Sequence, residues 1–321
     1  MLRAFITGGS GFVGRNLIAQ LKARGDVVRA LARSDAAIKT VQQLGAEPIR
    51  GDLDNADALR HGMSGCDVVF HSAAKVEDWG RYEEFYRVNV VGTENVLQAA
   101  RVSGVKKLMH VSTEAVLAGG PAIRNADETW PRAKNPLGLY PRTKGLAEER
   151  VLAANSPELT TVIVRPRFIW GKGDTSLLPQ IIHAVQRGEF MWINGGRYLT
   201  STCHVANVCE GALLAAERGR GGEIYFLTDG PPIEFRQFIT ALLKTQNIDP
   251  GNRNLSLWLA RSFARVSETI WRGLHLNGRP PITRTAVCLI GESVTINDTK
   301  ARGELSYIGK VSIEEGLAEM A

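Results

Sequence analysis

Three side chains in this sequence have the chemistry to pass a proton to and from a substrate oxygen. Two are Tyr140 and Lys144, within LGLYPRTKGLAEE at residues 137–149. The third is a hydroxyl of VST at residues 111–113. On a helix, residues four apart share a face, so Tyr140 and Lys144 meet if their segment is helical. A phenol ordinarily titrates near about 10. An adjacent ammonium favours the phenolate and lowers that value, which suits proton exchange with an alcohol or a carbonyl near neutral pH. Pro141 fits the first turn of such a helix, where its missing N–H costs nothing, and it puts Tyr140 at the helix mouth. Taken alone, a Tyr/Lys pair at this spacing is more often a surface pair, because such neighbours are common and weakly coupled. What stands around the pair decides.

Residues 7–14, TGGSGFVG, follow the apolar run LRAFIT and open FVGRNLIAQLKAR. In the latter, Val13, Leu17, Ile18 and Leu21 fall at helical spacing and Gly25 ends the pattern. Gly8, Gly11 and Gly14 give G-x-x-G-x-x-G, and Gly9, Gly11 and Gly14 also satisfy G-x-G-x-x-G. Without side chains the backbone can approach a pyrophosphate, and the helix N-terminus turns free N–H groups toward the anion. Phe12 and Val13 complete the loop. A glycine pattern by itself also describes a tight turn. The strand before it and the helix after it point to a dinucleotide.

The first half of the chain keeps alternating. Strands are expected at VVRALAR, EPIRGD, CDVVFH, KKLMHVST and TTVIVRP, and helices up to Leu44, over 82–103 and over 141–155. Strands alternating with helices make βαβ units and a parallel sheet, and right-handed crossovers make that sheet doubly wound. The expected fold is therefore α/β, a Rossmann-type doubly wound parallel sheet with a smaller, mainly helical C-terminal substrate lobe. The dinucleotide-binding domain should span 1–170 and the lobe most of 171–321. Residues 198–228, with a helix over 205–218 and the strand EIYFLT, should return to the first domain.

In such folds the ligand crevice runs along the carboxyl ends of the strands. Asp52 and Leu53 follow the third strand, where an adenine edge would lie. Ser72, Ala73 and Ala74 follow the fourth, where small residues allow close backbone approach. An NAD site ordinarily has an acid about 20 positions after the loop, on the ribose hydroxyls. Here the second strand ends Ala32-Arg33-Ser34. Arg33 could hold a 2′-phosphate, or simply face solvent, and Asp35 stands close by. NADP is favoured, with NAD still compatible.

Composition narrows the class. The 321 residues are 44% hydrophobic and 22% charged, which supports a packed core and argues against disorder. The net charge of +6 comes without a Lys/Arg run of the kind that binds nucleic acid. Cys66, Cys203, Cys209 and Cys288 form no C-x-x-C pair, and His204 beside Cys203 is a weak zinc signal; reduced thiols are expected. The start MLRAFITGGSGF lacks a secretory apolar run, and no stretch nears the roughly 20 apolar residues of a membrane span. A cytoplasmic protein is expected, one able to touch a membrane surface.

Taken as a set, the motifs resemble the extended short-chain dehydrogenases/reductases. They are TGGSGFVG, DL at 52–53, HSAA at 71–74, NVVGTENV at 89–96, VST at 111–113, YPRTK at 140–144, RPRFIWGKGD at 165–174 and HVANVCEGALLA at 204–215. The resemblance covers essentially the whole chain. It implies hydride transfer with Tyr140 as general acid/base, and Lys144 both tuning the phenol and holding the nicotinamide ribose. It also implies Thr113 orienting the substrate oxygen, with Ser112 beside it. Asn89 is similar to the family's Asn on the helix lining the cofactor site, and Pro166 would lie near the nicotinamide. Helices like 82–103 and 141–155 imply a homodimer. Sugar-nucleotide epimerases of the family usually carry Val-Tyr-Gly where this chain has Val116-Leu117-Ala118. AKVEDWGRYEEFYRVN, RPRFIWGKGD and NGRPPITR instead resemble the 3β-hydroxysteroid dehydrogenase-like branch, including bacterial reductases of 2-alkyl-3-oxoalkanoates from long-chain olefin synthesis.

Residues 255–276 bear on the substrate independently. Leu255, Leu259, Phe263, Val266, Ile270 and Leu274 form one apolar stripe, with Arg261, Arg265, Glu268 and Arg272 on another face. Such a helix caps a greasy substrate, rests on a membrane, or, most commonly, packs its stripe into a core. The expected activity is NAD(P)-dependent oxidoreduction of a secondary alcohol or ketone on a lipophilic body. The rivals are an NAD-dependent sugar-nucleotide epimerase or dehydratase, and a non-catalytic dinucleotide sensor on the same fold.

Overall fold

Seven strands pair edge to edge in the computed structural model, which describes residues 1–321. They are β1 (Arg3–Thr7), β2 (Val27–Ala32), β3 (Glu47–Arg50), β4 (Val68–His71), β5 (Lys107–Val111), β6 (Thr160–Pro166) and β7 (Ile224–Leu227). All pairings are parallel, in the order β3-β2-β1-β4-β5-β6-β7. The order reverses between β1 and β4, and a ligand crevice opens at such a switch point.

Parallel strands need crossovers, and helices supply them on both faces. α1 (Phe12–Ala23) and α2 (Asp35–Gln43) lie on one face. There Leu17, Ile18 and Val41 join Ala4, Ile6 and Phe70 in one core cluster. α3 (Ala56–Met63) lies on the other, where Leu59 and Met63 join Phe5 and Val69. Successive strand residues thus feed opposite cores. α3 was not foreseen in the sequence. Its signals are local: the Asn55 side chain accepts from Ala58 N at 2.9 Å as an N-cap, and Leu59 and Met63 lie four apart.

The helix expected over 82–103 is present as α4. It consists of Tyr82–Tyr86, a π-helical turn at Arg87–Val91, and Gly92–Val102. α5 (Leu139–Ala153) carries Tyr140 as its second residue and Pro141 as its third, in the first turn. A buried ion pair docks α5 on the sheet: Arg165 of β6 donates to both oxygens of Glu148 at 2.8 and 2.6 Å.

After β6 come α6 (Leu178–Gln186) and α7 (Val205–Arg218). α7 packs Val208 and Ala212 on the α1 face of the sheet before β7 pairs with β6. The lobe holds α8 (Phe235–Lys244), α9 (Leu257–Gly273), α10 (Arg284–Ile290) and α11 (Ile313–Ala318). A small four-stranded sheet joins Ile233–Glu234 and Val294–Ile296 of the lobe to Leu199–Thr200 and Ile123–Ala126 from the ranges expected in the first domain. Strands of two to four residues are too short to show a period of two, so this sheet was not legible in the sequence. In α9 the side facing the protein is Ala260, Ala264, Ser267 and Glu268. The apolar stripe faces outward: Phe263 is 52% exposed, Val266 55%, and Trp258 beside them 72%.

No helix is long and apolar enough to cross a membrane. The four cysteines are buried and unpaired, and no group of three or more His, Cys, Asp or Glu side chains could hold a metal ion.

Candidate active site

The glycine loop sits where β1 gives way to α1. Gly8 has φ +74°, the left-handed region that glycine enters without strain. A Cβ on Gly8 would lie 2.8 Å from Ala73 N, and one on Gly14 would lie 2.1 Å from Gly8 O. Gly11, the N-cap of α1, has no side chain to close the helix end. Phe12 is buried and Val13 half-buried behind it. The result is a backbone cradle with helix N–H groups at its floor, which fits a dinucleotide pyrophosphate. Ser72 and Ala73 lie against it, with half-buried Ala74 following: Ser72 donates to Thr7 O at 2.8 Å and Ala73 N to Thr7 Oγ1 at 3.3 Å.

At the other end of the crevice, Arg33 is exposed and enters no ion pair, whereas Asp35 is paired with Arg50. Asp52 is exposed and accepts from Asp54 N. Leu53 is buried, and its carbonyl accepts from Asn95 at 2.9 Å. Asn89, in the π-turn of α4, has its amide engaged: it accepts from Lys75 N at 2.7 Å and donates to Lys75 O and Thr143. Its amide thus braces the Lys75 backbone and Thr143 rather than standing free.

The residues expected to handle the proton lie near the carboxyl ends of β5 and β6. Thr113 follows β5, is buried, and donates to Glu114 at 2.9 Å. Glu114 is buried too and is paired at 2.8 Å with Arg167, which follows Pro166 at the end of β6. The Ser112 hydroxyl is buried without a partner. Tyr140 is half-buried. Burial, the Glu114 carboxylate and, more weakly, Glu148 push its phenol above the ordinary value, against the neighbouring Thr113 hydroxyl, which favours the phenolate.

That direction differs from the expectation that Lys144 lowers it. The reason lies in where the lysine points. Lys144 is 2% exposed, and its ammonium turns into the sheet, donating to Val111 O at 2.7 Å and meeting His110 Nε2 at 3.0 Å. Burial holds Lys144 itself down to about 8, with Glu148 opposing. His110 was not singled out, and its neighbour His71 was read only as the first residue of the HSAA stretch at the end of β4. A histidine inside an otherwise apolar strand, once in VVFH and once in KLMHV, was the available signal.

A family model described as the 3-beta hydroxysteroid dehydrogenase/isomerase family matches residues 5–257. The chain belongs to that family. Among its relatives is the 4-hydroxy-2-methyl-3-oxo-4-farnesyl-3,4-dihydroquinoline-1-oxide ketoreductase of Stigmatella aurantiaca, 55% identical over 98% of this chain and 95% of the relative. Another is a 2-alkyl-3-oxoalkanoate reductase of Stenotrophomonas maltophilia, 33% identical over 99% of this chain and 98% of the relative. The structure of a UDP-glucose 4-epimerase from Thermotoga maritima superimposes with a TM-score of 0.77 at 20% identity, over 99% of this chain and 97% of that one, and shows the shared fold alone. Membership makes the protein an NAD(P)-dependent oxidoreductase acting on a hydroxyl or keto group.

Proposed function

We propose that the protein is an NADP(H)-preferring ketoreductase of a lipophilic substrate, with Tyr140 as the group that gives a proton to the keto oxygen. The observation that carries this reading is the environment of Tyr140. Its phenol is held protonated by burial and by Glu114, at the mouth of α5, beside the Thr113 hydroxyl. A protonated phenol is a hydrogen-bond donor, which is what a carbonyl oxygen gaining negative charge requires.

A bound nicotinamide cofactor supplies or accepts the hydride. Gly8, Gly11 and Gly14 would cradle its pyrophosphate, with Phe12 and Val13 at the helix start. Asp52, Leu53, Ser72, Ala73 and Ala74 would border its adenosine and central parts, and Ser112 and Pro166 its nicotinamide end. Tyr140 donates its O–H proton to the substrate oxygen as that oxygen becomes an alkoxide. Thr113, held by Glu114 and through it by Arg167, fixes where the oxygen sits. Lys144 keeps positive charge beneath the crevice, where its ammonium holds Val111 O and meets His110. Arg33, free of acidic partners, supports the preference for a 2′-phosphate.

The substrate class rests on the relatives, which are named for reducing ketones on a farnesylated quinoline and on alkyl chains. Two finer parts belong to the same reading. The outward apolar face of α9 supports a peripheral lipid contact. Pairing of α4 and α5 between two copies would make a homodimer, which light scattering of the purified protein tests. The activity is tested by following consumption of NADPH and NADH with a 2-alkyl-3-oxoacid, a prenylated quinolone ketone, a 3-oxosteroid and a UDP-sugar. Turnover of a lipophilic ketone with NADPH is expected. Purified protein loaded with NAD that acts only on the UDP-sugar would replace this reading with the epimerase.

A further inference from the structure

Two histidines lie beneath Lys144, deep in the sheet. His71 of β4 and His110 of β5 are register partners, with ring centroids 5.0 Å apart, and both are buried. The hydrogen bonds of His71 settle its tautomer. The Thr93 hydroxyl donates to Asn89 O at 2.7 Å, so it accepts at 2.9 Å from His71 Nε2–H. Nδ1 then accepts from the Thr7 hydroxyl at 2.7 Å. His71 is a neutral ring with both nitrogens satisfied, and burial, followed by the Lys144 charge, holds it down to about 3.

His110 is different. Its Nε2 has one partner, Lys144, and its Nδ1 has none. The lysine also lacks a carboxylate partner. Glu148, one turn along α5, gives both oxygens to Arg165. A buried ammonium is therefore held by one carbonyl and one imidazole. Burying a charge without such acceptors is costly.

We propose that His110 is a positioning residue: its Nε2 accepts from Lys144, and so keeps that ammonium charged and in place beneath the crevice. The groups facing Lys144 are His110 from β5, His71 from β4 and Glu148 from its own helix, with Arg165 of β6 behind Glu148. Of the side chains, His110 alone is hydrogen-bonded to Nζ. Burial and the Lys144 charge both hold His110 neutral, so it is an acceptor through the working pH range. The proposal rests on the reading of Tyr140 as the proton-exchanging group for its catalytic meaning, but not for its test.

The test is nuclear magnetic resonance of the full chain carrying ¹³C-lysine and ¹⁵N-histidine, with Lys144→Met assigning the Lys144 Cε signal. In the wild type, the His110 Nε2 shift should change with the same midpoint as the Lys144 Cε shift. Unrelated midpoints would overturn the pairing without any variant at His110. In His110→Phe, which keeps ring volume, and in His110→Leu, Lys144 should titrate at least about one pH unit lower, the value of one charge-assisted hydrogen bond. His110→Gln, which restores an acceptor, should return most of that shift. The alkaline limb of kcat/KM should move with it. An unchanged Lys144 midpoint in folded His110→Phe, or a His110→Gln protein that behaves like it, would overturn the proposal. Because these shifts need no turnover, they separate from the catalytic reading. A paired, titrating Lys144 in an enzyme that stays active as Tyr140→Phe would remove the reading of Tyr140 and uphold the pair.

Discussion

Lys144 is an ionisable group placed where charge is expensive. Its ordinary value of about 10.4 is lowered by burial to about 8, so the unfolded chain binds its proton more tightly than the folded one. Between those two values the unfolded state holds more protons, and stability from this residue rises with pH across the window. Below pH 8 the cost is fully present, at most about 3 kcal/mol by the size of the shift and less once the bonds to Val111 and His110 are counted. Lys144→Met should therefore unfold at higher urea than the wild type at pH 7, with the gap narrowing toward pH 10, while turnover collapses. A variant less stable at pH 7 would show that the ammonium is a net stabiliser. Arg33 gives the opposite kind of prediction. It is exposed and unpaired, so Arg33→Ala should leave unfolding unchanged and raise the KM for NADPH about tenfold or more, the loss of one charge-assisted contact. The KM for NADH should not move. Equal effects on both cofactors would remove the 2′-phosphate from the account.

Among elements, α5 matters most, because it carries both Tyr140 and Lys144 and must not slide. The Arg165–Glu148 pair pins it to β6 with both partners buried. Breaking such a pair leaves an uncompensated charge and costs about 3–5 kcal/mol. Glu148→Ala should lose stability on that scale in urea unfolding; a loss below about 1 kcal/mol would mean that packing alone seats the helix. The helix itself was legible, from the Tyr/Lys spacing and from Pro141 in its first turn. The cradle was legible for the same reason: glycines at fixed offsets are a local signal. What the lysine touches was not, since Val111 and His110 lie more than thirty residues away and only strand register brings them under α5. The same holds for the Thr113–Glu114–Arg167 chain, which links the ends of two different strands. α9 shows a third case. Its stripe was plain in the sequence, but which way it faces depends on Ala260 and Ala264 fitting against Ile193 and Val287.

For the whole molecule, the doubly wound sheet sets the candidate site residues at the carboxyl ends of six strands, while α9 turns its apolar face outward. Leu259, Phe263, Val266 and Ile270 on that helix, with Trp258, make an exposed apolar face bordered by Arg261, Arg265 and Arg272. Phe263→Asp together with Val266→Asp should cut sedimentation with anionic phospholipid vesicles severalfold and leave the melting temperature nearly unchanged, because surface substitutions cost little. Vesicle binding that is absent in the wild type would leave the face without a lipid role. The central claim concerns Tyr140. Its most direct test is the steady-state reduction of a lipophilic ketone by NADPH in Tyr140→Phe, with NADPH binding measured in parallel by fluorescence. The expected result is a fall in kcat of about 100-fold or more, with cofactor affinity within a few-fold of the wild type. A Tyr140→Phe enzyme that keeps near wild-type kcat would contradict it.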